Sequence, residues 1–131
     1  MDYPVIGVLR SHEVKESELV LYIDKGFDSG RGYPHRFNLS GTGRLPALDE
    51  SHLVVGIFGD SSQDNYSLAF FRESPRFFAA TTRLALSKFL KKEDDNFKYE
   101  YCKDVLAGRE VPGYDRVGAL KAGKIEAEVK V

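Results

Sequence analysis

The hydrophobic period of the chain switches at Ser74-Pro75, and that switch constrains the fold more than any other feature. Upstream, apolar residues come in short runs or alternate with polar ones, which is the pattern of strands. Downstream, Phe78, Ala79, Thr82, Ala85, Leu86, Phe89 and Leu90 recur at helical spacing. Ser74 can accept a hydrogen bond from an orphan N–H, and Pro75 at the first helical position has no N–H to lose. Lys88, Lys91 and Lys92 complement the dipole at the far end. The pattern predicts an amphipathic helix over 75–92, stopped by Glu93-Asp94-Asp95-Asn96.

Around that helix the sequence reads as strands. Pro4–Leu9 is a short β-branched run, after which Ser11-His12-Glu13 is expected to turn the chain. Leu19–Ile23 follows and ends at Asp24-Lys25-Gly26. His52–Phe58 is almost wholly apolar, as in a central strand covered on both faces, and Gly56 within it suggests a close neighbour or a bulge. Tyr66–Phe71 returns, so the two make a plausible hairpin. Phe97, Tyr99 and Tyr101 alternate with Lys98 and Glu100, favouring a strand ended by a turn at Ala107-Gly108. Phe97, Tyr101 and Val105 also match a helix face that Gly108 could cap. Pro112-Gly113 is a turn, and Ile125, Ala127, Val129 and Val131 alternate as a half-exposed strand.

The expected class is therefore α+β: a mostly antiparallel sheet, curled toward a barrel in one version, with one long amphipathic helix on one face. At 131 residues, with no repeat or linker, a single domain over 1–131 is expected, large enough to fold without a disulfide or metal. The one cysteine, Cys102, permits no internal disulfide and reads as a small, half-buried filler rather than a nucleophile. No apolar run reaches the ~18 residues of a membrane span. The acidic start Met1-Asp2-Tyr3-Pro4 is unlike a secretory signal, so the expected location is the cytoplasm, with no membrane partner.

No Walker-type loop, zinc-protease helix, EF-hand, nucleophile elbow or spaced Cys/His set occurs. Gly30-Arg31-Gly32 and Gly41-Thr42-Gly43 lack the third glycine and the strand–turn–helix frame of a dinucleotide fingerprint. No catalytic residue, metal ligand or cofactor is assigned. His12, His35 and His52 are read as structural or solvated.

The remaining chemistry is concentrated in 25–46, where Lys25, Phe27, Arg31, Tyr33, His35, Arg36, Phe37 and Arg44 interleave with glycines around one short strand. Glycines let backbone N–H groups approach an anion, arginine supplies a planar fork of donors, and aromatics supply stacking faces. The expected ligand-binding residues are Arg31, Tyr33, His35, Arg36 and Arg44. With a net charge of −1, no general basic footprint for duplex DNA exists, so anion binding has to be local. The leading expectation is a non-enzymatic binding protein for a nucleotide or single-stranded nucleic acid. The alternative is a protein-interaction or inhibitor module using segregated charges and Tyr99, Tyr101 and Tyr114. The third is a small enzyme with a His and carboxylate pair. A protein partner or homo-oligomer is compatible with each.

Overall fold

The computed structural model describes residues 2–16, 18–25, 32–38, 52–59, 65–74, 94–121 and 124–127. Seven strands and one helix lie within them: β1 (Tyr3–Lys15), β2 (Glu18–Asp24), β3 (Tyr33–Asn38), β4 (Leu53–Phe58), β5 (Tyr66–Glu73), α1 (Asp95–Leu106), β6 (Tyr114–Lys121) and β7 (Lys124–Ala127). The strands form one sheet in the order β3-β2-β1-β4-β5-β6-β7, and every neighbouring pair is antiparallel. The expected α+β class stands: an antiparallel sheet with a helix on one face. The helix expected over 75–92 lies outside the described residues.

The shape of the sheet is set by β1. Its first half, Tyr3–Val8, pairs with β4, and its second half, Val8–Lys15, pairs with β2. The β1–β2 register shifts between Leu9 and Ser11, so Arg10 is the extra residue of a β-bulge. A bulge bends the strand and lets it pass from one packed layer to another. The consequence is visible in ring contacts. In a flat sheet β3 and β5, four strand places apart, would be separated by roughly 19 Å. Instead the Phe37 and Tyr66 rings meet with centroids 4.6 Å apart. The β2–β3 layer therefore folds over β4–β5. Among the described residues β3 and β7 do not pair, so the sheet is curled but open, not a closed barrel.

Two glycines on the inner face accommodate this curl. A Cβ on Gly7 would stand 2.6 Å from the Asp24 carbonyl oxygen, and one on Gly56 would meet Leu68 and stand 2.5 Å from the Ser67 oxygen. Between the layers lies an apolar core that includes Val5, Leu9, Leu21, Phe37, Val54, Phe58, Leu68, Phe70 and Leu120. The bulged Arg10 reaches Asp24 on β2, donating from Nε at 3.2 Å and from Nη2 at 3.0 Å. That carboxylate is only 1% exposed, so the pair secures the corner.

The outer face is covered by α1. Tyr101, Cys102 and Val105 pack over Ile6, Leu53, Val55, Ala69 and Phe71, with Val111 and Tyr114 closing the far side. Several expectations are corrected here. Residues 97–102 are helix, not strand. The Asp94 carboxylate accepts the Phe97 N–H at 2.7 Å, which starts the helix. At its end Gly108 has φ +118, its N–H donates to the Val105 carbonyl, and the Arg109 N–H donates to that of Asp104, a Schellman cap. The apolar face Phe97–Tyr101–Val105 outweighs the alternation of the same residues because a covered sheet face lies beneath it. Ser11-His12-Glu13 is not a turn. β1 runs on to Lys15, and the chain reverses at Glu16, whose φ is 52. Cys102 is fully buried rather than half-buried. Strand β6, with few periodic cues of its own, is held by seven residue pairs against β5, with Val117 the extra residue at a shift in register.

Candidate ligand-binding mouth

Strand alternation divides the expected site between two faces. Tyr33, His35 and Phe37 point to the inner side of β3. The His35 ring stacks on Phe58 with centroids 5.2 Å apart, and Phe37 stacks on the same ring at 5.3 Å. Arg36 points the other way, where its guanidinium donates to Glu18 at 2.7 Å across the β2–β3 pair. Arg36 is therefore a surface ion-pair partner and is not brought together with Tyr33 and His35. Arg31 and Arg44 lie outside the described residues.

The aromatic group is larger than sequence reading found. Tyr3, at the start of β1, faces Phe58 across the β1–β4 pair and stacks on it at 5.5 Å. Phe58 is thus flanked by Tyr3, His35 and Phe37, with Tyr66 beyond Phe37. Two members are open to solvent at this end of the inner core: Tyr3 is 46% exposed and Tyr33 is 68% exposed. No local pattern marks Tyr3. Its place depends on the register with Phe58, which only pairing reveals.

Burial, with a contribution from the Lys25 charge, pushes His35 down to about 4, so its imidazole is neutral near pH 7. Its Nε2 is shielded from solvent and has no hydrogen-bond partner among the described residues. Lys25, just past the end of β2, is itself held below the usual lysine range by burial and then by the ammonium of Lys98 on α1. Backbone packing is tight here. Gly32, immediately before β3, lies so close to the Tyr22 carbonyl that no Cβ fits.

The other histidines take no part. His52 is fully buried at the start of β4, where its carbonyl accepts the Leu9 N–H at 2.9 Å. His12 and His35 are each paired with Leu21, from opposite sides of β2. That puts them about 10 Å apart in the sheet, too far for a concerted acid–base pair. Cys102 rests under α1 with its thiol directed at the Val5 carbonyl, and burial pushes it up to about 12, against the effect of hydrogen bonds with the Gly56 and Val5 backbone. Among the described residues no cluster of His, Cys, Asp and Glu could hold a metal ion, and no helix is long and apolar enough to cross a membrane.

The fold and mouth define an open, curled antiparallel sheet with an aromatic rim. No known protein family, curated protein or solved structure matches the chain.

Proposed function

We propose that this chain is a non-enzymatic binding protein for an anionic ligand carrying a planar ring, a nucleotide or a segment of single-stranded nucleic acid. The observation that carries the reading is the exposed Tyr33 beside the Tyr3–Phe58–His35 stack, with the Lys25 charge acting on the same imidazole. Bases stack on such rings, and a nearby ammonium attracts their phosphates. Arg31 and Arg44 remain in the proposed contact set. Arg36 does not, because Glu18 holds it on the opposite face.

The test is titration of the folded protein with mononucleotides and short oligonucleotides at several salt concentrations, alongside Tyr33→Ala. Binding that weakens as salt rises is expected, with a loss of about 1–3 kcal/mol for each base that Tyr33 stacks. Absence of binding at low salt, together with a stoichiometric co-purifying protein, would replace this reading with a protein-interaction module.

A further inference from the structure

We propose that β3 is an acid-released flap, held shut over the inner core by the neutral imidazole of His35 stacked on Phe58. The flap belongs to the ligand-free protein and does not rest on the ligand-binding reading above.

The case begins with how unequally the two partners of that stack are held. Phe58 belongs to β4, which is paired over six residues with β1 and over six with β5. β3 is the last strand of the sheet and pairs with β2 alone among the described residues. Pro34 within it has no N–H to give to any ladder. On its inner side β3 is fastened by rings: His35 and Phe37 stack on Phe58 at 5.2 and 5.3 Å, and Phe37 meets Tyr66 at 4.6 Å. On its outer side the Arg36–Glu18 pair is exposed and adds little. When the stack fails, β3 is the element that yields.

His35 is the member of this fastening that changes charge in acid. Its Nε2 is out of contact with water and has no hydrogen-bond partner among the described residues. In the imidazolium both ring nitrogens are donors, so protonation leaves a charged N–H without an acceptor. The face of Phe58 attracts a cation, but it does not supply that hydrogen bond. The charge that acts on the ring, Lys25, has the same sign and opposes protonation as well. The other ionisable groups around it give no relief. Tyr3, reached through Phe58, and Tyr66, reached through Phe37, carry phenols, which are uncharged in acid. Asp24 is engaged by Arg10 at 3.0 Å, and Glu18 by Arg36 on the outer face. His12 lies on the far side of β2, and α1 packs on the opposite face of the sheet. The imidazolium therefore reaches water by lifting β3, and Phe37, two residues on along the same face, lifts with it.

The experiment is native-state hydrogen exchange, followed residue by residue by NMR and corrected for intrinsic rates, between pH 6.5 and about 4, the ordinary and the depressed histidine values. The open form takes up a proton that the closed form resists, so opening should rise about tenfold for each pH unit lost in that window. Protection of the β2–β3 ladder is expected to fall with that slope while the β4–β5 ladder keeps its own. His35→Phe, which leaves a ring on Phe58 but no titrating nitrogen, should make β2–β3 protection independent of pH. Glu18→Gln should leave the slope unchanged. Level β2–β3 protection in the wild-type protein, or an equal fall in β4–β5, would overturn the flap, and neither result requires that His35→Phe fold. A slope that survives in His35→Phe, or vanishes in Glu18→Gln, would overturn it too, by assigning the acid response to the outer ion pair.

Discussion

The two faces of the sheet are both apolar, yet they end differently. Under α1 the described part of the outer face is closed: Cys102 and Val105 are buried, and the rim is finished by capped helix ends and the turn before β6. The inner face, between the β2–β3 layer and β4–β5, opens at one end into exposed tyrosines and a desolvated imidazole. The difference separates residues that serve packing from those that packing alone does not account for. A closed face has no reason to retain a buried nitrogen without a partner, whereas a face that meets a ligand does.

The sharpest way to break this comparison is at Phe37, which ties β3 to β4 and β5. Phe37→Ala should cost about 3–5 kcal/mol in denaturant unfolding. A cost below about 1 kcal/mol would mean that β3 does not fold over the inner core. Next comes the corner. Arg10→Ala strips the buried Asp24 of its guanidinium, and a loss on the order of 3 kcal/mol is expected, because the remaining carboxylate is almost fully out of water. A loss recovered in Arg10→Ala with Asp24→Asn would confirm that uncompensated charge, not lost packing, is responsible.

On the outer face Asp94→Ala should lower stability by about 1 kcal/mol, the value of one helix cap, without changing any ligand affinity. The thiol of Cys102 should resist alkylation in the native protein at neutral pH and react only on unfolding, since burial raises it to about 12. Rapid native alkylation would show that α1 does not seal its face. The smallest effect concerns acid. His35 is depressed in the folded state, so the unfolded chain binds the extra proton between the ordinary histidine value of 6.5 and about 4. The stability tied to its neutral form is complete above that window and declines as pH falls through it. His35→Phe should flatten this part of the stability profile, and an unchanged profile would place the imidazole in water.

How far the sequence could be read varies with the physics of each segment. β4 was legible because a strand buried on both faces is apolar at nearly every position, and Gly56 announced the close approach of β5. β3 was legible from the alternation of His35 and Phe37 with Arg36, although alternation does not say which face is inside. The segment 95–106 defeated local reading because its aromatics satisfy period two and period four equally. Gly108 was visible as a cap residue, whereas Asp94 read only as part of the polar run that ends the preceding segment, because a run that caps one helix also looks like the end of another. β6 carried too weak a pattern to be seen without β5 beside it. Of the expected site, Tyr33 and His35 share a face, Arg36 does not, and Tyr3 enters from the opposite end of the chain segment.

By itself, the sequence determined the class of fold, the positions of the strands with strong periodicity, and the concentration of aromatic and basic residues in 25–46, because these follow from local side-chain spacing and composition. Only the tertiary structure decided that Arg10 forms the corner of β1, that Phe37 reaches Tyr66, and that Arg36 turns away to Glu18. Those outcomes depend on strand register and on the bend of a shared strand, and neither is encoded in the neighbours of any one residue.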